Sequence, residues 1–129
     1  MQIINFGMPT LIETINIESC VKLCKELGLD FIELNMNLPQ YQIESIDIQQ
    51  LKLICKKDGI YFTIHLDENL NVCDFNNEIA NAYTKTVLST IDIAKQLNMP
   101  VLNIHMSNGV FLLCQLKKCF CLINTKIFI

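Results

Sequence analysis

A chain of 129 residues with 51% apolar and 18% charged residues has room for one domain and one core, and it is too apolar for an intrinsically disordered polypeptide. Ten Lys+Arg against thirteen Asp+Glu leave a formal charge of -3, which argues against general electrostatic attraction to a phosphate backbone or an anionic membrane. The start of the chain, Met1-Gln2-Ile3-Ile4-Asn5-Phe6, lacks the basic and long apolar regions of a secretory signal, so the seven cysteines are expected to be reduced thiols of a cytoplasmic protein. No uninterrupted apolar stretch reaches the ~18 residues of a transmembrane helix.

Short runs rich in Ile, Phe and Val alternate with longer stretches at helical spacing, the pattern of βαβ units and a parallel sheet. A first strand is expected over 2–6. A helix follows over 17–27, with Cys20, Leu23, Cys24 and Leu27 on one stripe and Gly28 as its stop. The second strand spans 30–35. The second helix spans 46–57, with Ile48, Leu51, Ile54 and Cys55 inward, Ser45 or Asp47 as cap and Gly59 past its end. The third strand covers 61–65. The third helix covers 75–97, where Ile79, Tyr83, Val87, Ile91 and Ala94 recur every three or four residues behind Asp74 as cap. Pro100 then leads into a fourth strand over 101–105. Four near-continuous apolar strands joined by three helices suit either an open doubly wound sheet or part of a (β/α)8 barrel. No Gly-x-Gly-x-x-Gly follows the first strand and no Walker loop occurs, so dinucleotide and P-loop readings lose their support.

Beyond Asn108-Gly109 the pattern stops. Residues 110–129 hold three cysteines, Lys117, Lys118 and Lys126, and no carboxylate. This tail is expected to lie outside the fold, as after a truncation or a shifted reading frame. The alternatives are a closing edge strand over 119–129 and a membrane-associating tail, the latter disfavoured by its lysines.

A weak repeat marks the strand ends: Phe31-Ile32-Glu33-Leu34, Thr63-Ile64-His65-Leu66 and Asn103-Ile104-His105-Met106. In a parallel sheet all three ionisable groups belong to the carboxyl edge, where ligands bind in barrels and open sheets alike. Two imidazoles and a carboxylate suit a divalent metal such as Zn, Mn or Fe, or a polar substrate. The plainer alternatives are buried histidines bonded to backbone and a Glu33 carboxylate paired with a nearby Lys. Asp67 and Glu68, in the following loop, read as solvated residues or as partners that orient His65. Ser107-Asn108-Gly109 reads as a turn whose N–H groups could face a ligand oxygen. Cys20 and Cys24 read as core residues. Cys114, Cys119 and Cys121 match no zinc spacing, and Cys55 and Cys73 carry no assignment.

Phe6-Gly7-Met8-Pro9-Thr10, Gly28-Leu29-Asp30-Phe31-Ile32-Glu33-Leu34, Phe62-Thr63-Ile64-His65 and Val101-Leu102-Asn103-Ile104-His105 together resemble the first half of the xylose isomerase-like TIM-barrel superfamily, which includes sugar phosphate isomerases and epimerases and endonuclease IV-type apurinic endonucleases. The resemblance spans residues 1–109. It implies an α/β fold of parallel βαβ units, the first half of a (β/α)8 barrel, followed by an atypical tail over 110–129. It also implies a divalent metal (Mn, Zn, Mg or Co) and a small sugar or sugar phosphate substrate. In the endonuclease branch the histidines matching His65 and His105 are metal ligands. In the epimerase branch they line the substrate pocket, while the catalytic glutamates come from later strands.

A full barrel needs about 250 residues, so half a barrel would leave strand edges and an inner face open. A second copy, a second half-barrel or the tail could cover them; a catalytically silent fragment is the remaining alternative. Acids at Asp67, Glu68, Asp74 and Glu78 disfavour a nucleic-acid partner. The expected activity is therefore sugar isomerisation or epimerisation, with Glu33, His65 and His105 binding substrate or metal.

Overall fold

The computed structural model describes residues 4–105, together with the backbone of two short strands, Leu112–Cys114 and Lys117–Cys119. Strands β1 (Gly7–Pro9), β2 (Phe31–Asn35), β3 (Tyr61–His65) and β4 (Leu102–Asn103) alternate with helices α1 (Ile17–Glu26), α2 (Ile48–Asp58) and α3 (Asn77–Gln96). The strands form one parallel sheet in the order β1-β2-β3-β4. A doubly wound sheet reverses its strand order partway, and this one does not. The architecture is α/β, with half the strands of a TIM barrel.

Each helix starts where a side chain takes up the unpaired N–H groups of its first turn. Asn16 Oδ1 accepts from Ser19 N at 2.9 Å, and Asp47 Oδ1 accepts from Gln49 N and Gln50 N at 2.9 and 3.0 Å. The third helix begins at Asn76, which accepts from Glu78 N at 3.0 Å, and not at Asp74, whose Oδ1 accepts from Asn76 N. Asp74 thus shapes the turn before the helix and is not its cap. Gly59 ends α2 in the left-handed region, φ 71°, where a Cβ would be strained.

The pleat sorts the strand residues between two faces. Ile32, Leu34, Phe62 and Ile64 are almost completely buried against Cys20, Val21, Cys24, Leu51, Val87 and Ile93 of the helices. The thiols of Cys20 and Cys24 are pushed up, chiefly by burial, so they stay neutral as core residues. The stripes of the helices are displaced from the sequence expectation in places. Leu27 and Ile79 are exposed, while Val21 and Thr90 are buried. No helix among the described residues is long and apolar enough to cross a membrane.

The opposite, inner face carries Phe31, Glu33 and Asn35 from β2 and Tyr61, Thr63 and His65 from β3. Phe31 and Tyr61 stack with centroids 5.1 Å apart. Beside them, Gly7 stands opposite Phe31 in register. The Phe31 ring fills the space that a Cβ at Gly7 would need, which is why glycine stands at this position.

Three strand boundaries move. The first strand is displaced from 2–6 to Gly7–Pro9. Phe6 still joins the ladder's lower end, because its carbonyl accepts from Asp30 N at 2.7 Å while its N–H donates to Asp30 Oδ2 at 2.9 Å. Residues 1–3 lie outside the described part. The fourth strand contracts from 101–105 to Leu102–Asn103, and the second loses Asp30. The expected edge strand over 119–129 lies outside the described residues except for Cys119. That residue pairs with Leu112 in a separate antiparallel sheet of β5 (Leu112–Cys114) and β6 (Lys117–Cys119).

Gly7→Ala should destabilise the fold by about 1–3 kcal/mol through overpacking against Phe31, as measured by urea unfolding. In a Phe31→Ala background the same change should cost far less.

Candidate functional site

β3 ends at His65, and the chain passes through a loop containing Glu68. β4 ends at Asn103, two residues before His105. Backbone bonds lace this rim together: Met36 N donates to the His65 carbonyl at 2.9 Å, and Leu66 N donates to the Asn103 carbonyl at 2.9 Å. His65 therefore issues from backbone fixed by the sheet, and His105 follows two residues after the anchored end of β4.

The imidazoles meet. Nε2 of His105 lies 3.0 Å from Nε2 of His65, with the rings edge to face at 64° and centroids 4.9 Å apart. His65 Nδ1 is 2.9 Å from the carbonyl of Leu66, which can only accept, so Nδ1 carries the proton and Nε2 presents a lone pair. In the metal-free state His105 can donate its Nε2–H to that lone pair. With both Nε2 atoms deprotonated, the pair becomes a bidentate donor.

The pair has a third member. A ligand atom from each of His65, Glu68 and His105 can be chosen so that all lie within 4.8 Å of one another. Two nitrogens bound at roughly 2.1 Å and at right angles around one ion stand about 3.0 Å apart, which is the spacing observed. The donor set of two imidazoles and one carboxylate, half-exposed or exposed at the rim, fits a divalent transition metal with room for water or substrate. His65, Asn103, Ile104 and His105 line a cleft of about 320 Å³ at this point. Larger grooves of about 680 and 660 Å³ lie on the helices, between α1 and α2 and along α3.

Sequence alignment of the three strand ends overstates their equivalence. In the sheet, His65 stands opposite Asn35 on one side and Asn103 on the other, while Glu33 stands opposite Thr63. Glu33 thus lies one inner-face layer below His65, and His105 lies beyond Asn103. Glu33 is outside the imidazole cluster. Its partner is not a lysine but the Asn103 side chain, whose Nδ2 donates to Glu33 Oε2.

The orienting group for His65 is the Leu66 carbonyl, and neither Asp67 nor Glu68 takes that part. Asp67 Oδ1 instead accepts from Asn69 N and Nδ2 at 2.7 and 3.0 Å, closing a local turn. Glu68 is anchored by its own N–H, which donates to Asn37 Oδ1 at 3.1 Å, and it joins the cluster through its carboxylate. Asn103 is the site residue that sequence reading passed over. Its signal was parity, since it lies two residues before His105 and so shares its face. The turn at Ser107-Asn108-Gly109 lies outside the described residues.

No family model and no curated protein matches the chain. Among solved structures it is similar to one described as "D-tagatose 3-epimerase-like protein", with TM-score 0.67 and 18% identity over 88% of this chain and 40% of that chain. The chain therefore spans well under half of that structure's length. At this identity the likeness concerns fold: four parallel strands joined by three helices, arranged as in half of an epimerase-like TIM barrel.

Proposed function

We propose that the chain forms half of a xylose isomerase-like sugar isomerase or epimerase, acting on a small ketose or ketose phosphate in the cytoplasm. The observation that carries this reading is the imidazole pair, with Nε2 atoms 3.0 Å apart and Glu68 beside them, at the carboxyl rim of sequentially ordered parallel strands. The likeness to an epimerase-like structure supports it.

His65, Glu68 and His105 would hold a divalent cation, with Mn, Zn, Mg and Co as the candidates. Such an ion supplies Lewis acidity towards a carbonyl or a bound water. The protein's own part is to fix the geometry: the Leu66 carbonyl holds His65 in one tautomer, and Asn37 holds the loop that carries Glu68. Proton transfer beside a carbonyl needs bases facing the substrate carbon. Among the described residues only Glu68 joins the imidazoles, so the reading takes the remaining carboxylates from a second half-barrel or a second copy.

The apurinic endonuclease reading shares the histidines. Exposed acids at Glu68 and at Glu78 in the first turn of α3, with Asp67 and Asp74 partly exposed in the connection between β3 and α3, would repel a duplex backbone, and we place it second.

Calorimetric titration of the full chain with Mn²⁺ or Zn²⁺ should show one site. His65→Ala or His105→Ala should lower its affinity about 100-fold, and Glu68→Gln about tenfold. Affinity should fall on acidification, because protons and metal compete for the same imidazole lone pairs. With Mn²⁺ and a partner half-barrel that supplies the remaining carboxylates both present, deuterium from D₂O should enter a ketose at the carbon beside its carbonyl. Nicking of abasic duplex without ketose exchange would overturn the sugar reading.

A further inference from the structure

Of the three donors at the rim, Glu68 stands farthest from a strand, three residues beyond the end of β3. Its place therefore depends on what grips the loop over 66–70. The two ends of that loop are sunk in the core at Leu66 and Leu70, while Glu68 between them is exposed. An exposed carboxylate on a loose loop loses conformational freedom when it binds an ion, and a loop ordered beforehand loses less.

The grip comes from the end of the neighbouring strand. Asn37 Oδ1 accepts from Glu68 N at 3.1 Å, and Asn35 Oδ1 accepts from Asn37 N and Asn37 Nδ2 at 3.0 and 2.9 Å. These bonds fix both amide orientations. A backbone N–H only donates, so the atoms facing Glu68 N and Asn37 N are oxygens, and the Asn37 nitrogen is left to face Asn35. Asn35 in turn stands opposite His65 in the β2–β3 register. Between the two asparagines, Met36 is fully buried; its N–H donates to the His65 carbonyl at 2.9 Å, and its own carbonyl accepts from the Gln42 side chain. The segment 35–37 thus holds the end of β3 and the following loop at two points, the carbonyl of His65 and the N–H of Glu68. Those are the two residues of this stretch whose side chains meet in the cluster.

We propose that Asn35 and Asn37 are positioning residues for the metal centre: in relay they hold the Glu68 backbone in a fixed relation to His65, so that the carboxylate meets the imidazole pair from a loop already in place. The inference rests on the reading of His65, Glu68 and His105 as metal donors and deepens it, assigning part of the centre's affinity to two uncharged side chains at the end of β2. Groups that orient a ligand in this way commonly govern metal affinity. A residue that acts through Glu68 contributes no more than Glu68 itself, which bounds the effect.

The test is calorimetric titration of the full chain with Mn²⁺. Asn37→Ala and Asn35→Ala should each weaken binding about fivefold, inside the loss expected on removing the Glu68 carboxylate. Their metal-free melting temperatures should stay close to the parent's, since Asn37 is exposed and Asn35 only partly buried. Asn35→Asp keeps both acceptor positions and should bind Mn²⁺ no more weakly than the parent. In a Glu68→Ala background Asn37→Ala should cost nothing further, whereas a general loosening of the fold would weaken binding with or without Glu68. Unchanged affinity in Asn37→Ala, or equal losses in the two backgrounds, would overturn the relay and leave the metal centre standing. A parent chain that binds no Mn²⁺, or a Glu68→Ala chain that binds it as the parent does, would overturn the three-donor centre and the relay with it.

Discussion

The register in which β2, β3 and β4 hydrogen-bond is the constraint on which the rest depends. Because side chains alternate between faces, a slip of one residue would turn His65 and Thr63 into the helical core and bring Ile64 out in their place. The buried quartet Ile32, Leu34, Phe62 and Ile64 excludes such a slip, since only one parity gives the helices an apolar surface. Hydrophobic burial on one side of the sheet thus holds the polar chemistry in place on the other.

That division also explains how an exposed histidine keeps a defined position. His105 follows β4 by two residues and is solvent-exposed, yet the bond from Leu66 N to the Asn103 carbonyl ties the end of its strand to the end of β3. His65 is held twice, by the ladder and by its own Nδ1 contact with the Leu66 carbonyl. The imidazoles thus meet from two strand ends tied together, and the loop after β3 contributes Glu68 as a third donor. Below them, the Glu33–Asn103 bond joins two strands that are not neighbours, which couples the floor of the face to its rim.

In a closed barrel the inner face is covered by further strands. Here Phe6 is 64% exposed, at the foot of a sheet whose floor is the Phe31–Tyr61 stack. On the helical side, Leu88 and Phe75 of the α3 groove are also exposed. These surfaces are what four staves of a barrel leave uncovered, in keeping with the 40% of the epimerase-like structure that the chain spans. The polar groups of the rim nevertheless come together within the half-barrel itself, because adjacent strands supply them.

Hydrophobic pattern and local capping were enough to determine the order of strands and helices, the bounds of β3, and the placing of His65 at a strand end, because each depends on residues close in sequence. The need for glycine at position 7, the cap at Asn76, the entry of Glu68 into the cluster and the pairing of Glu33 with Asn103 depended on tertiary structure. Each is decided by a neighbour far along the chain or by competition between adjacent polar side chains: Phe31 for Gly7, Asp74 against Asn76, Asn37 for Glu68. The sequence repeat set Glu33, His65 and His105 level. Only the pairing of strands could show them staggered, since register is a relation between strands and no single strand encodes it.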